Sequence, residues 1–139
     1  MSPPYRNRYP QLLEQELEAA RRAGVVPVEV PSSAFTALAT TGVRMIFVVL
    51  NNGKLVAAPR ERGAAHTSHA VLANGGPVLA AGEFTVEFRG SEIMVSALND
   101  MSGHYQPGAD GLAVAQDAFE AAGISVRPEA TTSYDWRSS

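Results

Sequence analysis

Apolar residues recur at helical spacing over residues 10–23, where Leu13, Leu17 and Ala20 fall on one face at i, i+4 and i+7. Pro10 suits the first turn, the pair Glu18 and Arg22 marks a solvated side, and Gly24 supplies a stop. Beyond it the period shortens. Val25 to Val30 is a β-type stretch broken by Pro27, which suits an edge, and Pro31-Ser32-Ser33 caps one helical turn through Leu38. Val43 to Leu50 and Lys54 to Ala58 read as a hairpin, because Asn51-Asn52-Gly53 between them tolerates the positive φ of a tight turn. Pro59 to Ala65 reads as a charged loop, Thr67 to Ala73 as a strand, and Asn74-Gly75-Gly76-Pro77 as a break.

Period-two alternation is clearest at Phe84, Val86 and Phe88, which puts Glu83 and Glu87 on the solvated face. Arg89-Gly90-Ser91 turns the chain into a return strand over Glu92 to Asn99, with Ile93, Val95 and Ala97 on one side and Met94, Ser96 and Leu98 on the other. Asp100 to Ala109 lacks apolar periodicity and is a loop. Leu112, Ala115, Ala118, Phe119 and Ala122 then fit a second helix, with Asp110 as N-cap and Gly123 as stop. Ile124 to Arg127 adds a short edge strand. The expected fold is α+β: a curled antiparallel sheet, barrel-like in its most curled form, packed with an N-terminal and a C-terminal helix. The expected organisation is an N-terminal arm over residues 1–9, one domain over 10–128 and a polar tail over 129–139, where Tyr134 and Trp136 clamp the tail to the body.

Composition narrows the function classes. The 139 residues are 45% hydrophobic and 18% charged, as in an ordinary globular domain. A net charge of -3, with 11 basic and 14 acidic residues intermixed, offers no cationic face for a phosphate backbone, so nucleic acid is not an expected partner. The longest apolar run, Met45 to Leu50, is far short of the roughly 20 residues that cross a bilayer, so a membrane is not expected either. There is no cysteine and no apolar signal-peptide core, which makes cytoplasmic residence the expectation and leaves specialised secretion open.

Candidate chemistry is confined to a few polar positions. His66, His69 and His104, with Asp100 or Glu83, are of types that ligate divalent ions, but on a strand His66 and His69 would face opposite ways, so no metal site is expected. Ser68 beside His69 and Ser102 near His104 suggest a nucleophile and base, yet a working pair is defined by hydrogen-bond reach and not by adjacency. The bland reading makes Ser102-Gly103-His104-Tyr105 a tight turn whose side chains satisfy backbone groups. Gly75-Gly76 has neither the lysine of a P-loop nor the GxGxxG of a dinucleotide fold and is read as a bend, while Arg60 and Arg62 could grip an anion. The residues leave the cofactor unknown.

Two segments carry a family resemblance. The run from His69 through Asn74-Gly75-Gly76 to Ala80-Ala81-Gly82, and then Ser102-Gly103-His104-Tyr105-Gln106-Pro107, resemble linked signatures. They are similar to those of the globular domain of plant IQ-motif calmodulin-binding proteins and of C-terminal domains of bacterial polymorphic-toxin-like proteins, over roughly Val43 to Gly123. Ala70 and Val71 replace small hydroxyl residues of the plant pattern, and no basic calmodulin-binding helix is present, which argues against calmodulin as partner. The resemblance implies a shared pocket without naming a reaction.

The leading expectation is therefore one pocket lined by His69, Ser102, His104 and Tyr105, walled by Gly75 and Gly76, with Arg60 and Asn99 as further ligand contacts. It would bind a small polar or peptide-like ligand, and any catalysis would use His104 as acid or base. The alternatives are a noncatalytic partner-binding or accessory module, whose exposed sheet edge captures an extended peptide, and then an NAD-dependent transferase of toxin type.

Overall fold

The computed structural model describes residues 3–62 and 65–133. Pro10–Leu12 forms a 3-10 turn that runs into helix α1, Leu13–Ala23, and Gly24 closes α1 at φ 75° with its N–H donating to Ala20 and Arg21 carbonyls. Strand β1, Val28–Val30, leads to helix α2, Ser33–Ala39, whose N-cap Ser32 accepts from Phe35 N–H. Strands β2, Met45–Leu50, and β3, Leu55–Pro59, form the expected hairpin. Short β4, Glu61–Arg62, and β5, Ala65–His66, pair with each other where a plain loop was expected.

Helix α3, His69–Ala73, corrects the expectation of a strand there. Val71 and Leu72 suit either state, and the local capping decides: Ser68 Oγ accepts from Ala70 N–H, and Asn74 and Gly75 take left-handed φ of 49° and 80° to end the turn. Strands β6, Val78–Arg89, and β7, Glu92–Asn99, make the longest hairpin. Helix α4, Ala109–Ala121, is N-capped by Gly108, while Asp110 sits in its first turn and not at the cap. Strands β8, Ser125–Val126, and β9, Thr131–Thr132, follow.

The main sheet has seven strands in the order β1-β3-β2-β6-β7-β8, with β9 also on β7, and it is open. Its body is antiparallel, whereas β8 and β9 run parallel to β7. Helices cover both faces. Phe47 and Phe84 of the sheet meet Phe35 of α2 and Phe119 of α4 on one side, and Ile46, Val48 and Ala81 meet α1, α3, Tyr5 and Tyr105 on the other. This explains the unbroken burial of Met45 to Val49: a strand covered on both sides needs apolar residues at every position.

Two expectations about faces fail, each for its own reason. Val86 pairs with Val95 and Thr85 with Ala97, so Ser96 is an extra residue that bulges β7 and brings Leu98 to the side of Val95. Glu83 lies opposite Phe84 but is only 9% exposed, because that face is also covered. The N-terminal segment is joined to the body as well. Tyr5 exchanges backbone hydrogen bonds with Val78 and is buried, and its hydroxyl accepts from Gly108 N–H. The expected clamp by Tyr134 and Trp136 lies outside the described residues. Among those described, no helix is long and apolar enough to cross a membrane.

Candidate functional site

The two signature segments meet at one end of the β2–β6 pair, under α1. His69, the first residue of α3, is buried and its Nε2–H donates to Gly82 O at 2.7 Å. Burial lowers its pKa to about 4, against the Gly82 hydrogen bond and the Glu83 charge, which favour protonation; the charges of His104 and Arg60 add to the lowering. A neutral imidazole serving as a backbone donor is the outcome at neutral pH.

The Ser102 to Pro107 segment is a tight turn. Gln106 N–H donates to Ser102 O at 2.7 Å, with Gln106 at φ 44°, and Ser102 Oγ accepts from Tyr105 N–H at 3.3 Å. Ser102 is 2% exposed. Tyr105 crosses to the other signature, its hydroxyl donating to Gly76 O at 2.8 Å; burial, with a further contribution from Glu16, pushes its pKa up to about 12. Replacing Tyr105 by Phe removes only that donor and leaves the Gly76 carbonyl unmatched. The expected cost is about 1–2 kcal/mol in equilibrium urea unfolding, without change in the folded spectrum.

His104 differs. Its side chain is 21% exposed, its Nε2 meets Glu16 Oε2 at 2.6 Å, and Tyr9 packs edge-on against the ring at 5.2 Å. Arg8 N–H donates to the His104 carbonyl, so the N-terminal segment also fastens this turn. Glu16 escaped the sequence reading, although a signal existed: with Leu13, Leu17 and Ala20 it completes the inward stripe of α1 at i, i+3, i+4 and i+7. A carboxylate on an apolar stripe asks for a buried partner.

The remaining candidates gather elsewhere. Arg60 Nε donates to Glu83 Oε2 at 2.6 Å and its NH1 to Glu61 Oε1 at 2.6 Å, while Arg44 NH1 lies 3.6 Å from Glu83 Oε1. Asn99 Oδ1 accepts from both Glu83 N–H and Met101 N–H, and its Nδ2 donates to Glu83 Oε1. This network pins the end of β7 to β6. Arg62's side chain lies outside those described.

Gly75 and Gly76 pack against α1 and close α3. Leu13 covers Gly75, where a Cβ would come within 2.5 Å of Leu13 Cδ2, and Gly76 N–H donates to Ala73 O. His69, Tyr105 and the two glycines are thus brought together as an interlocked frame, His104 stands at its rim with Glu16, and Arg60 and Asn99 belong to the Glu83 network. Among the described residues no group of three or more His, Asp or Glu side chains is arranged to hold a metal ion.

A sheet with helices on both faces, locked at one end by these two segments, defines an α+β domain built around a hydrogen-bonded frame. The chain belongs to the family described as IQ motif-containing protein middle domain, which it matches over residues 30–112, well over half its length. Both signature segments lie inside that span, whereas Glu16 precedes it. No curated protein and no solved structure matched the chain.

Proposed function

We propose that this domain is a noncatalytic binding module that serves a protein partner, with the two signature segments as its rigid frame. The observation that carries the reading is the direction of the polar side chains. His69 is hydrogen-bonded to Gly82 O, Tyr105 to Gly76 O, and Ser102 to the Tyr105 N–H. A serine with its oxygen accepting from its own turn, and an imidazole donating to a buried carbonyl, are placed for structure and not for proton transfer to a substrate. The partner is not captured as an added strand at β1, which is three residues long and flanked by Pro27 and Pro31, or along β7, whose outer edge β8 and β9 cover. The helical faces and loops remain for recognition. An accessory role in a toxin-like system, suggested by the resemblance of the two signatures, belongs to this same proposal.

A second reading keeps His104 as an acid or base, oriented by Glu16 at 2.6 Å and partly open to solvent. The transferase reading has less support, since Glu83 is held by Arg60 and Asn99. A thermal-shift screen of wild type and His104→Ala separates these readings, using nucleotides including NAD, divalent metals, amino acids and short peptides. The expected result is that no small molecule stabilises wild type while leaving the variant unmoved. A ligand that does so would overturn the noncatalytic reading and give the chemical class of the substrate.

A further inference from the structure

Strand β2 pairs with β6 from Val78 to Phe84, whereas β7 joins the opposite side of β6 only from Phe84 onward. At Val78 that opposite side is closed by Tyr5. In an isolated antiparallel bridge, Tyr5 N–H donates to Val78 O at 2.7 Å and Val78 N–H to Tyr5 O at 2.9 Å. The Tyr5 ring enters a slot beside the start of α4, and the slot exists because residue 111 is glycine. A Cβ there would lie 3.0 Å from Tyr5 Cε2 and 3.3 Å from both its hydroxyl oxygen and Pro107 Cβ. Gly108 N–H donates to that hydroxyl at 3.3 Å. Farther along, Arg8 N–H donates to His104 O at 2.7 Å and Tyr9 packs on the His104 ring, while the Arg6 and Arg8 residues are exposed. A ring, a hydroxyl and the backbone thus hold the segment. Val78, His104, Pro107, Gly108 and Gly111 all lie inside the family-matched span of residues 30–112, and residues 3–9 precede it. The walls of the slot belong to the family domain, and its occupant does not.

We infer that this slot is a docking site for an extended, tyrosine-anchored segment of a protein partner, and that residues 3–9 occupy it in cis. Backbone pairing at Val78 supplies the part of such recognition that is indifferent to sequence, and the slot beside Gly111 supplies the specific part. A segment paired through an isolated bridge and not a continuous ladder opens at lower cost than the sheet it covers. The inference goes beyond the proposed function and does not depend on it. It concerns a sheet edge uncovered only when the segment leaves, and not the helical faces and loops, and the small-molecule screen above does not read it.

The test uses the full chain carrying Tyr5→Asp, whose carboxylate is too costly to bury unpaired in the slot and so releases the segment. An acetylated and amidated peptide of residues 3–9, Pro-Pro-Tyr-Arg-Asn-Arg-Tyr, is titrated into it by calorimetry, with dispersed amide spectra showing that the variant is folded. The peptide should bind at least about tenfold more tightly than to wild type, where the tethered copy competes at an effective concentration of about millimolar. Alanine for the first tyrosine of the peptide should weaken binding about thirtyfold or more, and phenylalanine about threefold to tenfold. Serine for both arginines should weaken it less than about threefold, which leaves the slot open to partner segments of other sequence. Adding Gly111→Val, which puts a branched side chain where the ring sits, should abolish binding. Hydrogen exchange on the wild-type chain needs no variant. The amides of Tyr5, Arg8, Val78 and Gly108, which bond within or to the segment, should open together, about a hundredfold or more as often as those of Ile46 and Val48. No binding to the folded Tyr5→Asp chain, equal binding of the alanine peptide, loss of binding with the arginines, or survival of binding with Gly111→Val overturns the inference. Exchange of the four amides only with the whole domain does so too. A wild-type dimer in sedimentation that Tyr5→Asp dissolves would give the slot to a second copy and overturn the assignment to a partner.

Discussion

Gly82→Ala is expected to lose more than about 4 kcal/mol of stability, or to fail to fold, because the added methyl has no space. A Cβ at Gly82 would lie 1.9 Å from the Asn99 carbonyl oxygen and 2.8 Å from its carbon, both backbone atoms of the strand end that crosses β6 there. Neither side can yield cheaply. Gly82 pairs with Phe47 in the middle of the sheet, and its carbonyl receives His69. Asn99 is held by Glu83 N–H and Met101 N–H through its Oδ1. Gly103, in the other signature, has nothing within 4 Å of its Cβ position and no left-handed φ, so Gly103→Ala should stay within about 0.5 kcal/mol of wild type. Equilibrium urea unfolding of the two variants checks both statements. A Gly82→Ala protein as stable as Gly103→Ala would mean that β7 does not approach β6 as closely as described.

That contrast also marks what the sequence can reveal. The resemblance singles out Gly82 and Gly103 alike, since it carries residue identity and not distance; only the packing separates a close approach from a free turn. Patterns that depend on one element were legible. The α1 stripe with its Gly24 stop, the Asn-Gly hairpin and the β6–β7 pair all follow from local period and turn chemistry. Features decided across elements were not. Nothing local announces the extra residue Ser96 that reverses the alternation at Leu98, or that the Glu83 side of β6 would be covered. The strand reading of Thr67 to Ala73 failed on a five-residue helix too short for its period to outweigh β-branched neighbours, though Ser68 was available as its cap. The candidate site shows the same division. His69, Ser102, His104 and Tyr105 were singled out by type and motif, while Glu16, which faces His104 from 88 positions away, needed the stripe of α1 to be read for its exception.

The neutral, buried His69 makes stability depend on pH in a window set by its own titration. Its ordinary pKa is 6.5 and in the folded domain it falls to about 4. Above pH 6.5 the imidazole is neutral whether the chain is folded or not, and it contributes no pH dependence. As pH falls below 6.5 the unfolded chain takes up a proton that the folded one refuses, so unfolding is favoured by about 1.4 kcal/mol for each pH unit. The loss reaches about 3 kcal/mol near pH 4, where the folded protein also accepts the proton and the slope ends. Carboxylates titrate in the lower part of this range and must be separated from His69. His69→Gln does so, since a glutamine amide also donates to the Gly82 carbonyl and carries no titrating group. The difference in unfolding free energy between wild type and His69→Gln, measured by urea unfolding from pH 7 to pH 5, should therefore shift steadily against wild type as pH falls. Parallel curves would show that the imidazole reaches solvent and titrates normally. His69 would then be free to act on a ligand, and the frame on which the noncatalytic reading stands would lose its central hydrogen bond.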